Sequence, residues 1–258
     1  AAFNVTTDTN TYNTAVGQAA GTAVTTGIEN TLIGALAGDA LTDADLNVAV
    51  GHKALGADTR GSRSTAIGFA ALEDQNFTTA TDTYNVAVGA LAGTNVTTGI
   101  ENTIIGGLAG VDLTDADYNV ALGHLALSAD TLGSRSTALG RSALAAQNFT
   151  TATNTYNTAV GFKAGVANTT GETNTFLGAT AGAANTSGNN NCAVGYAALF
   201  TNILSDRNVA VGNNALYSHN QATSIDSYNV AVGFAAGTAI TTSTHNTLIG
   251  GSAGDALT

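Results

Sequence analysis

The sequence predicts an all-β protein, a parallel β-solenoid of fourteen short coils, and three observations predict it. First, one motif recurs along the chain: Asn-Thr/Val-apolar-Val/Ile/Leu-Gly-x-x-Ala-Gly/Leu. It starts at Asn13, Asn30, Asn47, Ser64, Asn85, Asn102, Asn119, Ser136, Asn157, Asn174, Asn191, Asn208, Asn229 and Asn246. Second, the spacing runs 17, 17, 17 and 21 residues and then repeats, so a 72-residue block sits above the coil. Third, a 17-residue unit is too short for a helix-pair repeat, which needs roughly 33 residues. Asn47-Val48-Ala49-Val50, closed by Gly51, reads instead as a strand of about four residues ended by a turn.

Each coil then has room for two short strands and two turns, and successive coils stack as parallel strands about 4.8 Å apart. The blocks are 13–84, 85–156, 157–228 and a partial 229–258. Tyr12, Tyr84, Tyr156 and Tyr228 mark them, each just before a block begins. The ninth motif position keeps the same phase, reading Gly21, Gly38, Leu55, Leu72 and repeating that order. Residues 1–258 are expected to form a single repetitive shaft that belongs to a longer chain. The four extra residues of the fourth coil fall within 76–83 in the first block, and an insertion in a solenoid maps to a turn on one face. A protruding loop is therefore expected every fourth coil.

Individual positions follow from this frame. The invariant glycine, Gly17 through Gly250, suits a positive-φ turn or a close approach of two backbones. The invariant alanine, as at Ala20 and Ala37, suggests a crowded corner. The opening asparagines are placed to form a ladder, each amide bonding the next coil or capping a turn. They do not fit the glycan-acceptor pattern, whereas Asn4-Val5-Thr6 and Asn76-Phe77-Thr78 do.

In the strand, Val16, Ile33, Val50 and Ile67 share one face, and Ala15, Leu32, Ala49 and Ala66 share the other. Both faces are apolar. The larger fourth-position residues are expected to fill the coil interior, with Val211 packed between Val194 and Val232. The third-position face, mostly alanine, is then expected to lie against a partner surface, most simply identical chains in a homotrimer.

Composition narrows the function. The chain is 44% hydrophobic and carries a net charge of −11. That balance disfavours nucleic acid, whose phosphates need cations, and anionic membrane surfaces. No apolar run approaches the ~20 residues of a membrane span. Cys192 stands alone, so no disulfide framework exists, and it reads as a small buried hydrophobe.

The strings Asn13-Thr14-Ala15-Val16-Gly17 and Thr25-Thr26-Gly27 resemble the 17-residue repeats of phage tail-fibre proteins, which often precede a self-cleaving intramolecular chaperone domain. Asn47-Val48-Ala49-Val50-Gly51 and Ser64-Thr65-Ala66-Ile67-Gly68 are similar, more distantly, to the heads of YadA-like trimeric autotransporter adhesins. The resemblance covers nearly all of the chain. It implies a trimer of left-handed parallel β-rolls, extracellular, on a virion tail fibre and involved in host attachment through a receptor that meets regions outside this segment. The alternative is a microbial cell-surface adhesin or extracellular filament. A third reading is an ice-binding solenoid, but Thr25-Thr26 and Thr97-Thr98 recur only in first coils, so no unbroken threonine array exists.

No nucleophile motif, paired catalytic carboxylates or cofactor fingerprint appears, and repetition disfavours the singular constellation an enzyme needs. No cofactor is expected. Asp43 and Asp45 recur as Asp115 and Asp117, where stacked carboxylates are candidate calcium ligands. Arg63, Arg135 and Arg207 recur in the next coil and are placed to neutralise those same aspartates across adjacent rungs. The reading preferred for these four aspartates is partly paired surface charge. His52 and His124 share a slot, His219 and His245 do not, and all four are expected in surface or turn positions.

Overall fold

The computed structural model describes residues 10–257 and shows a parallel β-solenoid of about fourteen coils with no helix among them. Asn4 lies outside the described residues. The chain divides into two compact units, Ala1–Leu125 and Ala126–Thr258. In the first, Thr14–Val16, Thr31–Ile33, Val48–Val50, Thr65–Ile67, Val86–Val88, Thr103–Ile105 and Val120–Leu122 pair in parallel in chain order. In the second, Thr137–Leu139, Thr158–Val160, Thr175–Leu177, Cys192–Val194, Val209–Val211, Val230–Val232 and Thr247–Ile249 do the same. Motif residues align in every pair: Thr14 with Thr31 one coil on, Thr65 with Val86 across the insertion.

The second strand expected in every coil is mostly absent, and turns replace it. It survives where the insertion lies, as Gly61–Ser62 paired with Thr81–Asp82 and Gly133–Ser134 paired with Thr153–Asn154. The third block keeps only a bridge, Asp206 to Asp226. The insertion tips, 78–80, 150–152 and 222–224, are exposed as expected. Phe77 and Phe149 anchor the first two from the buried side.

The face assignment of the strand is corrected. Third-position residues, from Leu32 through Ala49, Phe176 and Ala210 to Ala231, are fully buried. Fourth-position residues point outward: Val16 is 59% exposed, Leu177 45% and Ile249 72%. Val211 is only half-buried, aligned with Val194 and Val232 along the outer face, so it does not fill the interior. Cys192 is likewise half-buried in an outward second position.

The reason is packing volume. In third and fourth coils the ninth motif position is leucine, and Leu55, Leu72, Leu127, Leu144, Leu199 and Leu216 are all fully buried. Only alanine fits opposite them at Ala49, Ala66, Ala121, Ala138, Ala193 and Ala210. In the second coil of each block the sizes reverse, and Leu32, Ile104, Phe176 and Leu248 take the interior strand position. Glycines make room for them. A Cβ on Gly165 would stand 2.6 Å from Phe176, and one on Gly38 2.8 Å from Leu32. Gly182 meets the other side of the Phe176 ring in the same way. The large residue once per block therefore fills an interior gap, where interiors tolerate neither voids nor overlap.

The motif glycine serves both purposes expected of it. Gly89 has φ +138, and a Cβ there would lie 2.7 Å from the Gly106 carbonyl of the next coil. The asparagine ladder forms. Asn30 Oδ1 accepts the Asn47 N–H at 2.9 Å, while Asn30 Nδ2 donates to the Ala44 carbonyl at 2.7 Å across the coil. The Asn30 amide thus satisfies buried backbone both between and within coils, which an apolar interior requires.

Candidate functional site

The calcium candidates each place one carboxylate oxygen in a contact of the fold. Asp45 Oδ1 accepts the Ile28 N–H at 2.8 Å and Asp117 Oδ1 the Ile100 N–H at 2.8 Å, each reaching back one coil. Asn189 does the same for Glu172, and Asp206 for Asn189. These side chains stack turns. Asp115 accepts the Thr98 hydroxyl at 2.6 Å, and Asp43 meets Arg60 at 3.3 Å. Among the described residues, no three His, Cys, Asp or Glu side chains gather closely enough to hold a metal ion.

The arginine pairing differs from the expected one. Arg63 binds Asp82 at 3.0 Å and Arg207 binds Asp226 at 2.8 Å, while Arg135 Nε donates to Asn154 at 2.9 Å. All three therefore reach forward to the insertion of the following coil, and Asp43 is served by Arg60. Arg63 and Arg207 also lie over the rings of Tyr84 and Tyr228. The Arg63 and Arg207 ion pairs are exposed, so each contributes about 0–1 kcal/mol.

His52, His124 and His245 are exposed, and His52 stacks on Phe69. His219 is instead fully buried. It belongs to an interior column that the sequence reading missed, eleven residues after each motif start. The column reads Val24, Leu41, Asp58, Gln75 in the first block, and Asn168, Asn185, Asn202, His219 in the third; all eight are buried.

In the fourth coil this column becomes a polar node. Gln75 Nε2 donates to Asp58 at 2.6 Å and to Ser64 at 2.8 Å, and its Oε1 accepts from Asn85 at 2.9 Å. The Ser64 and Thr83 hydroxyls bond each other. Gln147, Asp130, Ser136, Thr155 and Asn157 repeat the arrangement 72 residues on. Burial pushes the Asp130 carboxyl above its ordinary value, against the lowering effect of the Phe149, Gln147 and Gly133 donors. The Asp/Asn-x-x-Gly turn, at 58–61, 130–133, 168–171 and 185–188, was the available sequence signal for this column.

Two grooves lie on the surface. One, of about 240 Å³, is lined by Asp39, Lys53, Glu73 and Asp74 among others, with Lys53 bonded to Glu73 at 2.7 Å. The other, of about 340 Å³, is lined by Lys163, Val166, Thr180 and Phe200 with neighbouring alanines.

The broadest chemical feature is the outer strand face. The fourth motif position is Val, Ile or Leu in every coil although it points outward. Second positions beside it are Thr, Val or Cys, β-branched apart from Cys192. Such a stripe offers mainly apolar contact, with the Cys192 thiol its one nucleophilic group. No protein-family model matches the chain, and neither does any curated protein or solved structure.

Proposed function

We propose that the chain is a structural shaft segment of an extracellular fibre, a homotrimer of left-handed rolls with the 17-17-17-21 repeat, in a phage tail fibre used for host attachment. The observation that carries this reading is the outer stripe. Val16, Ile33, Ile67, Leu139, Leu177 and Ile249 are each more than a third exposed in the single chain. Soluble surfaces carry isolated apolar residues at no penalty, but a continuous stripe marks an interaction surface. A stripe that repeats with the coil is matched most simply by another copy of itself. The fibre assignment rests on the resemblance of the repeats. We assign the segment no catalytic chemistry, because most of its buried polar groups recur from block to block and are engaged in stacking.

The test is mass in solution. Light scattering of a whole-block protein is expected to give three chains per particle. Serine at Val160, Leu177 and Val194 together is expected to release monomers that keep their far-ultraviolet β signal. A wild-type monomer, or a trimer indifferent to those three changes, would overturn the reading.

A further inference from the structure

The third block departs from the other two at its polar node. Where the first two blocks have Asp58 or Asp130, it has Asn202; where they have Ser64 or Ser136, it has Asn208. Gln75 and Gln147 become His219, and Gly61 and Gly133 become Ser205. The two earlier nodes are closed networks. This one leaves Ser205 Oγ, Asn208 Oδ1, His219 Nδ1 and Asn220 Oδ1 without partners.

Two of the orphans, Asn220 and Ser205, have a cause visible in the other blocks. Asn76 and Asn148 accept from the hydroxyls of Thr59 and Thr131 at 3.2 Å, but Ile203 stands in that position below Asn220. Gly61 has no side chain, and a Cβ there would run into the Asp58 carboxylate. Ser205 puts a side chain at that spot, and its N–H reaches Asn202 Oδ1 only at 3.3 Å, against 3.0 Å for Gly61 to Asp58. The ring of His219 retains one side-chain contact, Nε2 to the Ser227 hydroxyl at 3.2 Å.

We infer that this fourth coil of the third block, 208–228, is an acid-sensitive opening point built into the solenoid. A buried imidazole with an unpartnered nitrogen can take a proton only by acquiring a charge in an apolar interior or by opening the coil to water. The Thr241 backbone alone favours that charge, and no carboxylate is paired with it. In the coil below, Asp206 faces the Asn189 N–H and Arg207 pairs outward. On its own coil, Asp226 holds Arg207 at 2.8 Å and Tyr228 is exposed. In the coil above, His245 is exposed and leans on Tyr228. Asn202 places an amide where the other two nodes hold a carboxylate. Consistent with this, burial lowers the His219 pKa to about 4, with only the Thr241 backbone opposing. A folded value below the ordinary one means that stability is complete above about 6.5 and is lost as pH falls towards 4.

The test is hydrogen exchange followed by mass spectrometry on the whole chain from pH 7.5 to 4.5, corrected for intrinsic exchange. Protection of the Asn220 and Ser227 amides is expected to fall by up to roughly tenfold per pH unit below 6.5, while Phe77 and Phe149 keep theirs. His219→Gln is expected to abolish the fall. In a folded wild-type sample, an NMR titration of the His219 ring is expected to give a value well below the ordinary imidazole value of 6.5. Asn202→Asp is expected to raise it by restoring the carboxylate. The inference is overturned by pH-independent protection at this coil, by a fall that survives His219→Gln, or by a His219 ring that titrates at the ordinary imidazole value.

Discussion

The size exchange between the third and ninth motif positions can be tested as a thermodynamic cycle. Phe176 is fully buried between Gly165 and Gly182. Phe176→Ala removes a ring from a site whose neighbours have no side chains to close over it. The cost is expected near the top of the usual range, about 3–5 kcal/mol. Gly182→Leu alone drives a side chain into the ring and is expected to cost at least about 1–3 kcal/mol from overpacking. The backbone does not forbid it, since Leu199 has φ 52 where Gly182 has φ 58. Together the two changes rebuild the Ala193 and Leu199 packing of the next coil. The double variant is therefore expected to recover about 2 kcal/mol or more of the summed loss. Urea unfolding at fixed protein concentration measures this, with exchange protection at Thr175–Leu177 locating the effect. Additive losses would refute the view that the 72-residue period is a volume code.

Two further outcomes are expected. Ala210→Asp, on the buried face, is expected to open 205–225 to protease because a carboxylate in an apolar interior costs several kcal/mol unless it protonates; Val211→Asp is expected to leave the single-chain fold resistant and to weaken association instead. Chelator is expected to leave the melting temperature unchanged, since Asp45 and Asp117 bond turn N–H groups, Asp115 the Thr98 hydroxyl and Asp43 the Arg60 guanidinium; a drop of many degrees would reveal a metal linked to folding.

The coil, its spacing and the asparagine ladder were legible because each depends on one residue type at one position. The orientation of the strand was not. Valine beside alanine ordinarily means valine inside, yet here the inside is filled from across the coil by Leu55 and Leu72. That partner is six residues away in sequence and in a different local structure, so strand alternation alone cannot reveal it. The inner column at Asp58 and Gln75 was hidden for a related reason. In the first two blocks it passes from apolar to polar within a block, and comparison at 72 residues shows Asp58 with Asp130 and Gln75 with Gln147. Arg63 was legible as a cation in need of an acid, but its acid lies on an insertion whose path the repeat does not dictate.

The insertion also explains why the ladder residue is serine at 64 and 136. Across a 17-residue step, an asparagine Oδ1 takes the N–H of the asparagine above, as Asn47 does for Ser64 at 2.8 Å. Across a 21-residue step the chain has detoured, and Gln75 links Ser64 to Asn85 instead. Serine leaves space for that glutamine. Asn208 keeps the longer side chain, and its Oδ1 is left unpaired. Asn208→Ser would remove an unpaired buried acceptor, relieving about 1–3 kcal/mol. It would also remove the Nδ2 bonds to Asn191 at 3.1 Å and Asp206 at 3.2 Å, each contributing about 1 kcal/mol. The expected net change in the urea midpoint is therefore small. Ser136→Asn has no such offset. It displaces Gln147 from its 2.8 Å bond and adds an acceptor with no donor above it, and is expected to cost at least about 1–3 kcal/mol. Equal effects of the two substitutions would show that the fourth-coil serine answers to something other than the detour of the chain.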